Sequence, residues 1–438
     1  MGAAKNNRKL IVRKRLECRK IIAKSSPVII MLFSLSWMII LSVIRLKGQA
    51  DRRLRAGHQW IYSNEVNTDA TPLKQFTAGD QVVVEAANGK PLGIAMINPS
   101  TLICGRLISR DLKSPMDKSL VVHRLKIALS LRESVYPAPY YRLVFGDSDG
   151  LSGLVVDRFA DILVVQISTA GMERIKEEIV TALQEVIKPS AILMKNDGKM
   201  RDVEGLNSYV EEAFGTVPEV VYLQENDVLF EAPVWDGQKT GWFYDHRENR
   251  KTLQTFSPGK RVLDVFSYVG GWGVQAASAG ATDVTFIDAS EKALGHVESN
   301  LTMNQYEGNA NLMQGDAFES MQSLIDDKQR FDVVVIDPPA FITRRKDTKS
   351  GESAYYRANQ LAMRLVAKGG TLVTASCSMH LKEEKLHEIV RSNSRSLERF
   401  SQLIYRGTQA PDHPVHASIE ETEYLKALFY RVHNNMGL

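Results

Sequence analysis

The sequence predicts an α/β protein whose C-terminal half is a doubly wound parallel sheet, preceded by a small all-β module and a small α+β module. Three observations carry this. From about residue 260, short apolar runs alternate with segments of helical period. Residues 41–111 hold only short strands separated by turn signals. A chain of 438 residues also exceeds what one hydrophobic core ordinarily serves.

The N-terminus stands apart. Residues 1–26 hold nine Lys/Arg against one acid, Glu17, so residues 27–438 sum to −4 although the whole chain is +4. Nucleic-acid binding by the body must therefore come from a local patch and not from a global field. The uncharged run "VIIMLFSLSWMIILSVI" (28–44) has the character of a short signal-anchor. The positive-inside rule would then send everything after it out of the cytoplasm. Its end, "LSVIRLK" (41–47), alternates as a first strand does. We expect 1–37 to be an extension outside the fold, with no membrane partner.

The module at 38–116 contains "WIYSNEV" (60–66), "QVVVEAANGKPLGIAMI" (81–97) with a turn at 88–91, and "TLICGRLISR" (101–110). These predict a small β-barrel-like fold. Lys47, Arg52, Arg53, Arg55, Arg106 and Arg110 make it the most basic part of the body, which suits either a solvated face or RNA contact. The module at 117–213 reads as α+β, with helices at 119–133 and 172–187; "GDSDG" (146–150) lacks calcium-loop spacing and reads as a turn.

The C-terminal domain, 214–438, has predicted strands at 261–266, 283–288, 310–316, 330–337 and 371–377. Ser290 is the expected N-cap of a helix over 291–304. The helix before the last of these strands is expected to end at "AKGG", with Gly369 or Gly370 in the usual C-terminal position. Ligands of such a sheet sit beyond the strands' carboxyl ends. Those ends carry Asp264, Asp288, Asp316 and Asp337, with Gly270, Gly271 and Gly273 in a turn after the first strand. Each aspartate alone is readily a helix cap. Four in register suit a cationic, phosphate-free ligand with a ribose, such as S-adenosylmethionine, better than a dinucleotide, whose pyrophosphate tolerates few nearby carboxylates. The three cysteines, Cys18, Cys104 and Cys377, have no paired spacing. No disulfide framework, no metal and a reducing, cytoplasmic setting are expected. Cys377 ends the last predicted strand, as either a buried small residue or a nucleophile.

The motifs "GDSDGLSGLVVDRF" (146–159), "KTGWFYDHRENR" (239–250), "VLDVFSYVGGWG" (262–273), "VIDPPAF" (335–341), "SCS" (376–378) and "DHPV" (412–415) together resemble the bacterial 23S rRNA (cytosine-5) methyltransferases that carry a PUA domain. The resemblance runs from about Ser42 to the C-terminus. It implies a PUA-like RNA-binding domain at 38–116, a central domain at 117–213 and a Rossmann-like methyltransferase domain at 214–438. It also implies methyl transfer from S-adenosylmethionine to C5 of a cytosine in ribosomal RNA, free or partly assembled.

On that basis Cys377 adds to C6, and Asp337 holds the base through N3 and N4, in protonated form stabilising charge on N3. The expected cofactor-binding residues are Asp264, Phe266, Tyr268, Gly270, Gly271, Asp288, Asp316 and Asp337. The expected substrate-binding residues are Lys239, Tyr244, Asp245, Arg247, Pro338, Phe341 and Arg344. A second cysteine, common in the loop of such enzymes, is replaced here by Pro338-Pro339-Ala340, so the base that removes the C5 proton stays unassigned. A homodimer is left open. The rival readings are an exocyclic-amine RNA methyltransferase and a non-catalytic RNA-binding factor.

Overall fold

The computed structural model describes residues 30–31 and 40–434. The extension and anchor readings of the N-terminus fall outside the described residues, apart from Ile30–Met31. Among the described residues no helix is long and apolar enough to cross a membrane.

One compact unit comprises the described residues before Ala56 together with Trp60–Pro115. Its six strands are β1 (Ile30–Met31), β2 (Ile40–Arg45), β3 (Trp60–Tyr62), β4 (Asp80–Glu85), β5 (Pro91–Ile97) and β6 (Ile103–Ser109). They form one sheet in the order β1-β2-β4-β5-β6-β3. A bridge between Leu46 and Val66 ties the end of β2 to the chain after β3, curling the sheet toward closure. Alternate residues Val82, Val84, Ala95 and Ile97 fill its core with Ile44 and Cys104. The run predicted as one strand over 60–66 stops at Tyr62, and Ser63–Glu65 form a 3-10 turn. The basic face is partly neutralised: Arg53 pairs with Glu65, Arg55 with Asp51, and Arg110 donates to the Leu54 carbonyl, while Lys47 and Arg52 are exposed.

The second unit holds the rest of the described chain. Strands β7 (Tyr140–Phe145), β8 (Leu154–Phe159), β9 (Ile162–Ile167), β10 (Ala191–Asn196) and β11 (Tyr209–Phe214) form a five-stranded sheet in the order β11-β10-β9-β8-β7. The helix Lys118–Val135, capped by Asp117, packs against the helix Lys176–Ile187. The single helix predicted over 172–187 is broken at Ile175, where φ is −111° and ψ is 26°. "GDSDG" is a 3-10 turn ended by Gly150, and its Asp149 makes a two-pronged ion pair with the buried Arg132.

A hairpin that the sequence reading did not place, β12 (Val220–Glu225) and β13 (Val228–Pro233), turns at Asn226 and Asp227, both left-handed. Next comes the large sheet: β14 (Arg261–Val265), β15 (Asp283–Asp288), β16 (Asn309–Gln314), β17 (Phe331–Ile336), β18 (Val366–Ser376), β19 (Arg399–Gly407) and β20 (Lys426–Asn434). The order is β16-β15-β14-β17-β18-β20-β19, with β14 to β18 parallel and β20 antiparallel to its neighbours. Val262, Val333, Val335 and Val373 pack on one face, while Leu263, Val334, Ile336 and Leu372 pack on the other. Both faces are covered, as a doubly wound sheet requires. The strand order reverses between β14 and β17, so a crevice opens beyond their carboxyl ends.

The helix stop expected at "AKGG" is not one. The helix before β18 ends at Leu365, and "AKGG" lies inside the strand. These glycines answer to crowding in the sheet and not to a helix cap. Gly369 has φ +71°, and a Cβ at Gly370 would stand 2.7 Å from the Asp332 carbonyl oxygen, where β18 shifts register against β17.

Candidate active site

The site is assembled at the ends of β14, β17 and β18. Beyond β14 the chain passes through Phe266 and Tyr268, both left-handed at φ 65° and 50°, to Gly270 at φ 83°. Left-handed conformation at two bulky residues costs roughly 1–3 kcal/mol each and marks a loop whose shape is enforced by its surroundings. Asp264 enforces it from below: its Oδ2 accepts the Gly273 N–H at 2.8 Å. Asp288 enforces it from the side, its Oδ2 accepting the Tyr268 N–H at 2.8 Å and its Oδ1 the Ser290 N–H at 2.9 Å. The helix Gly271–Ser278 then packs so closely on β15 that a Cβ at Gly273 would lie 2.2 Å from the Phe286 ring.

Asp264 is fully buried, and its Oδ1 has no hydrogen-bond partner among the described residues. Burial pushes its carboxyl up to about 7; Asp337 and Asp288 add to this, against the Gly273 N–H. Asp337 goes the other way. Burial alone would raise it, but His246 and Trp272 hold it below the usual carboxylate range. Trp272 Nε1 donates to its Oδ2 at 3.0 Å, and His246 Nε2 lies 3.3 Å from the same oxygen. Asn249 Nδ2 faces His246 Nδ1 at 3.1 Å while also donating to the Thr408 carbonyl, which orients the ring with Nε2 toward Asp337. An ionised Asp337 is at odds with the expected protonated form.

Cys377 follows the last residue of β18 and is half-buried. Its serine neighbours hold it there. Ser376 Oγ donates to Tyr355 Oη at 2.9 Å, Tyr355 Oη shares a second hydrogen bond with Ser378 Oγ at 2.9 Å, and Ser378 Oγ accepts the Ile342 N–H at 3.2 Å. The "SCS" motif thus clamps the end of β18 to the loop that follows Asp337. Burial, with Asp337 and Asp245, pushes the Cys377 thiol up to about 11, against the opposing effect of Lys239. Asp245 Oδ2 accepts from Tyr424 Oη at 2.6 Å; burial would raise this carboxyl, but His246, His413 and Lys239 hold it well below the usual range. Cys104 sits in the core of the first unit, its thiol pushed up to about 12 by burial.

Several predicted site residues lie elsewhere. Tyr244 and Arg247 do not face the crevice. Tyr244 is fully buried and donates to the Arg158 carbonyl at 2.9 Å, and the Arg247 guanidinium lies 4.2 Å over the Tyr136 ring. The segment 239–250 holds a 3-10 turn, Tyr244–His246, running into the helix Arg247–Gln254. Most of it fastens the sheets together: Thr240 donates to Asp157 at 2.5 Å, and Arg250 grips Glu225 at 2.6 Å. Lys239 is exposed, with Nζ 4.8 Å over the Phe243 ring.

Asp316 is an exposed N-cap whose Oδ1 accepts the Phe318 and Glu319 N–H groups. Pro338 is buried, and Phe341 joins Phe266, Phe318 and Tyr355 in an aromatic cluster. Arg344 is exposed and paired with Asp347 at 3.2 Å. Sequence reasoning missed His246 and Trp272, which lie inside quoted motifs, and Tyr424 and Lys426, which lie outside them; all four gain meaning only from the fold. Among the described residues no group of three or more His, Cys, Asp or Glu is arranged to hold a metal ion.

A model of S-adenosylmethionine-dependent methyltransferases matches residues 201–431, and a PUA-like domain model matches 44–110. A protein named ribosomal RNA large subunit methyltransferase I from Shewanella frigidimarina is 33% identical over 394 residues, covering 89% of this chain and 99% of that one. The chain belongs to that family. A protein of the same name from Aeromonas salmonicida is 33% identical over 392 residues, covering 88% of this chain and 98% of that one. A solved methyltransferase structure from Streptococcus mutans shares the fold, with a TM-score of 0.76 at 20% identity over 89% of this chain and 99% of that one. Another solved methyltransferase, complexed with SAH, matches with the same TM-score, identity and coverage.

The family's methyl donor is S-adenosylmethionine, and the site fits it. The crevice offers the orphaned, buried Asp264 Oδ1 together with Asp288 and Asp337, a donor set suited to a cation. The strained Phe266–Gly270 loop leaves backbone beside it.

Proposed function

We propose that this enzyme transfers a methyl group to C5 of a cytosine in large-subunit ribosomal RNA, through a covalent bond between Cys377 and C6. The observation that carries this is the convergence of Cys377 with Asp337 and Asp245 beside Asp264, since the charge on each bears on its neighbours. The names of the relatives support ribosomal RNA as substrate, and the PUA-like module, with exposed Lys47 and Arg52, supports RNA contact.

S-adenosylmethionine, when bound by Asp264, Asp288 and the Phe266–Gly270 loop, supplies an electrophilic methyl group. C5 of cytosine is too weak a nucleophile to take it unaided, so Cys377 must first add to C6 and leave C5 electron-rich. Asp337, ionised, accepts from the exocyclic N4 amine. The His246 Nε2–H beside it supplies the donor for charge at N3. Pro338 and Phe341 fix the loop against which the base sits. Arg344 contacts a phosphate at small cost, because its exposed pair with Asp347 is worth roughly 0–1 kcal/mol. Cytoplasmic location and a substrate of free or partly assembled ribosomal RNA follow from this reading.

Cys377→Ala decides it against methylation of an exocyclic amine, which needs no thiol. Loss of methyl transfer to ribosomal RNA lacking the modification, by at least about 10³-fold, is expected, together with a trapped adduct on 5-fluorocytidine RNA with the unmutated enzyme. Retained transfer would overturn the C5 mechanism. RNA binding with no methyl incorporation by the unmutated protein would favour the binding-factor reading.

A further inference from the structure

Cys377 presents a problem that the proposed mechanism does not solve. Its thiol must lose a proton before it can attack, yet the site is dominated by carboxylates. Neither Asp337 nor Asp245 can serve, because both are held below the usual carboxylate range and are far too weak as bases for a thiol.

We propose that Lys426 takes the Cys377 proton and then stands as counter-ion to the thiolate, an assignment that rests on Cys377 being the nucleophile. Lys426 opens β20 directly opposite Ser376 in the antiparallel pairing with β18, so it is one residue out of register with Cys377. Its side chain is buried. Nζ donates to the Ser378 carbonyl at 2.8 Å and to the Tyr424 carbonyl at 2.9 Å. The amine is therefore moored to the backbone of the residue that follows Cys377. Tyr424, which supplies the second carbonyl, is the residue whose hydroxyl holds Asp245.

The two carbonyls set the protonation chemistry. A neutral amine has two N–H bonds and one lone pair; both N–H bonds are satisfied here and the lone pair is left to accept. An ammonium has a third N–H that needs a partner. Among the described residues no carboxylate lies within ion-pair distance of Nζ. The charged groups that act on it are Cys377 first, then Glu423 and Glu383. Burial lowers the amine to about 8 despite these, which makes it a competent base near neutral pH. Cys377 is faced in turn by Lys239, Asp337 and Asp245 and stays a thiol until its proton is removed.

In the step itself the S–H bond breaks and its proton moves to the Nζ lone pair. The sulfur electron pair forms the bond to C6, and the C5–C6 π pair shifts to C5 and, by conjugation, to N3. After methyl transfer, C5 gives up its proton to water, the C5–H pair restores the C5–C6 double bond, the C6–S pair returns to sulfur, and Nζ returns its proton to the thiolate.

Lys426→Gln keeps two N–H donors for the carbonyls but removes both the basic lone pair and the charge. In the full chain without RNA, iodoacetamide alkylation of Cys377, followed on its own peptide by mass spectrometry, is expected to slow about tenfold or more at pH 8.5. Lys426→Arg, which keeps the charge, is expected to slow it less. Turnover of Lys426→Gln is expected to fall about 100-fold or more with KM for S-adenosylmethionine unchanged. Alkylation of Lys426→Gln at the unmutated rate would overturn the proposal. If that variant does not fold, the unmutated enzyme decides: kcat/KM rising through about pH 8 supports Lys426, and a flat profile between pH 7 and 9 rejects it. Methyl transfer by Cys377→Ala would sink the nucleophile reading, whereas the alkylation rates still report whether Lys426 governs the thiol.

Discussion

Asp264 shows how burial of one side chain makes the stability of the protein depend on pH. Its carboxyl is shifted up to about 7 by burial and by Asp337 and Asp288, so the folded chain holds a proton that the unfolded chain has lost. Stability from this source is complete below the unfolded value of about 4 and declines as pH rises through about 7. Asp264→Asn keeps an acceptor for the Gly273 N–H without the charge. It is expected to raise the ligand-free melting temperature relative to the unmutated protein, with the gap widening from pH 4 to pH 8, and to weaken S-adenosylmethionine binding by at least about tenfold. Thermal melting across pH and calorimetric titration check both parts; a gap independent of pH would contradict the shifted carboxyl. The position of Asp264 at a strand end was legible in the sequence. Its protonation was not, because that depends first on burial beneath the assembled sheet and then on Asp337 and Asp288, brought beside it by neighbouring strands.

The helix Gly271–Ser278 is held close against β15. Its glycines were visible in "YVGGWG", but the reason for the third one was not: the Phe286 ring of β15 occupies the space of its Cβ. Gly273→Ala must push this helix away from β15. The expected loss is roughly 1–3 kcal/mol of stability in denaturant titration, with partial recovery in Gly273→Ala/Phe286→Leu. Unchanged stability would show that the helix is not pinned there. The "AKGG" segment carries the converse lesson. Two glycines after a helical pattern resemble a helix stop, yet here Gly370 relieves crowding between β17 and β18, a contact between residues about 40 apart, and Gly369 lies left-handed against Arg431 and His433 of β20. Local pattern places glycine correctly and cannot say which neighbour demands it.

For the whole molecule, "DHPV" and most of "KTGWFYDHRENR" serve assembly. Asp157 on β8 holds Arg142 at 2.6 Å and accepts from Thr240, while Asp412 accepts the Arg142 N–H at 2.9 Å. These contacts lock the five-stranded sheet to the segment that supplies Asp245 and His246. Asp157→Ala leaves the Arg142 guanidinium buried and unpaired, and about 3–5 kcal/mol of stability is expected to go with it in chemical denaturation. Turnover should fall as well, since Asp245 and His246 lose their support. A variant as stable as the parent would show that Arg142 finds water or another partner.

Alternation of apolar strands with periodic helices, and the residues at the strand ends, were enough to determine the doubly wound sheet and its acidic crevice, while the roles expected of Cys377 and Asp337 came from the family resemblance of their motifs. Period and turn chemistry are local and survive in one dimension. The tertiary structure alone decided which residues of the motifs face the crevice. It turned Tyr244 and Arg247 into packing, made Asp316 a helix cap, and set His246, Trp272, Tyr424 and Lys426 around the ends of β17 and β18. Charge and hydrogen bonding act through space, and the β18–β20 pairing alone joins residues about 50 apart in the chain.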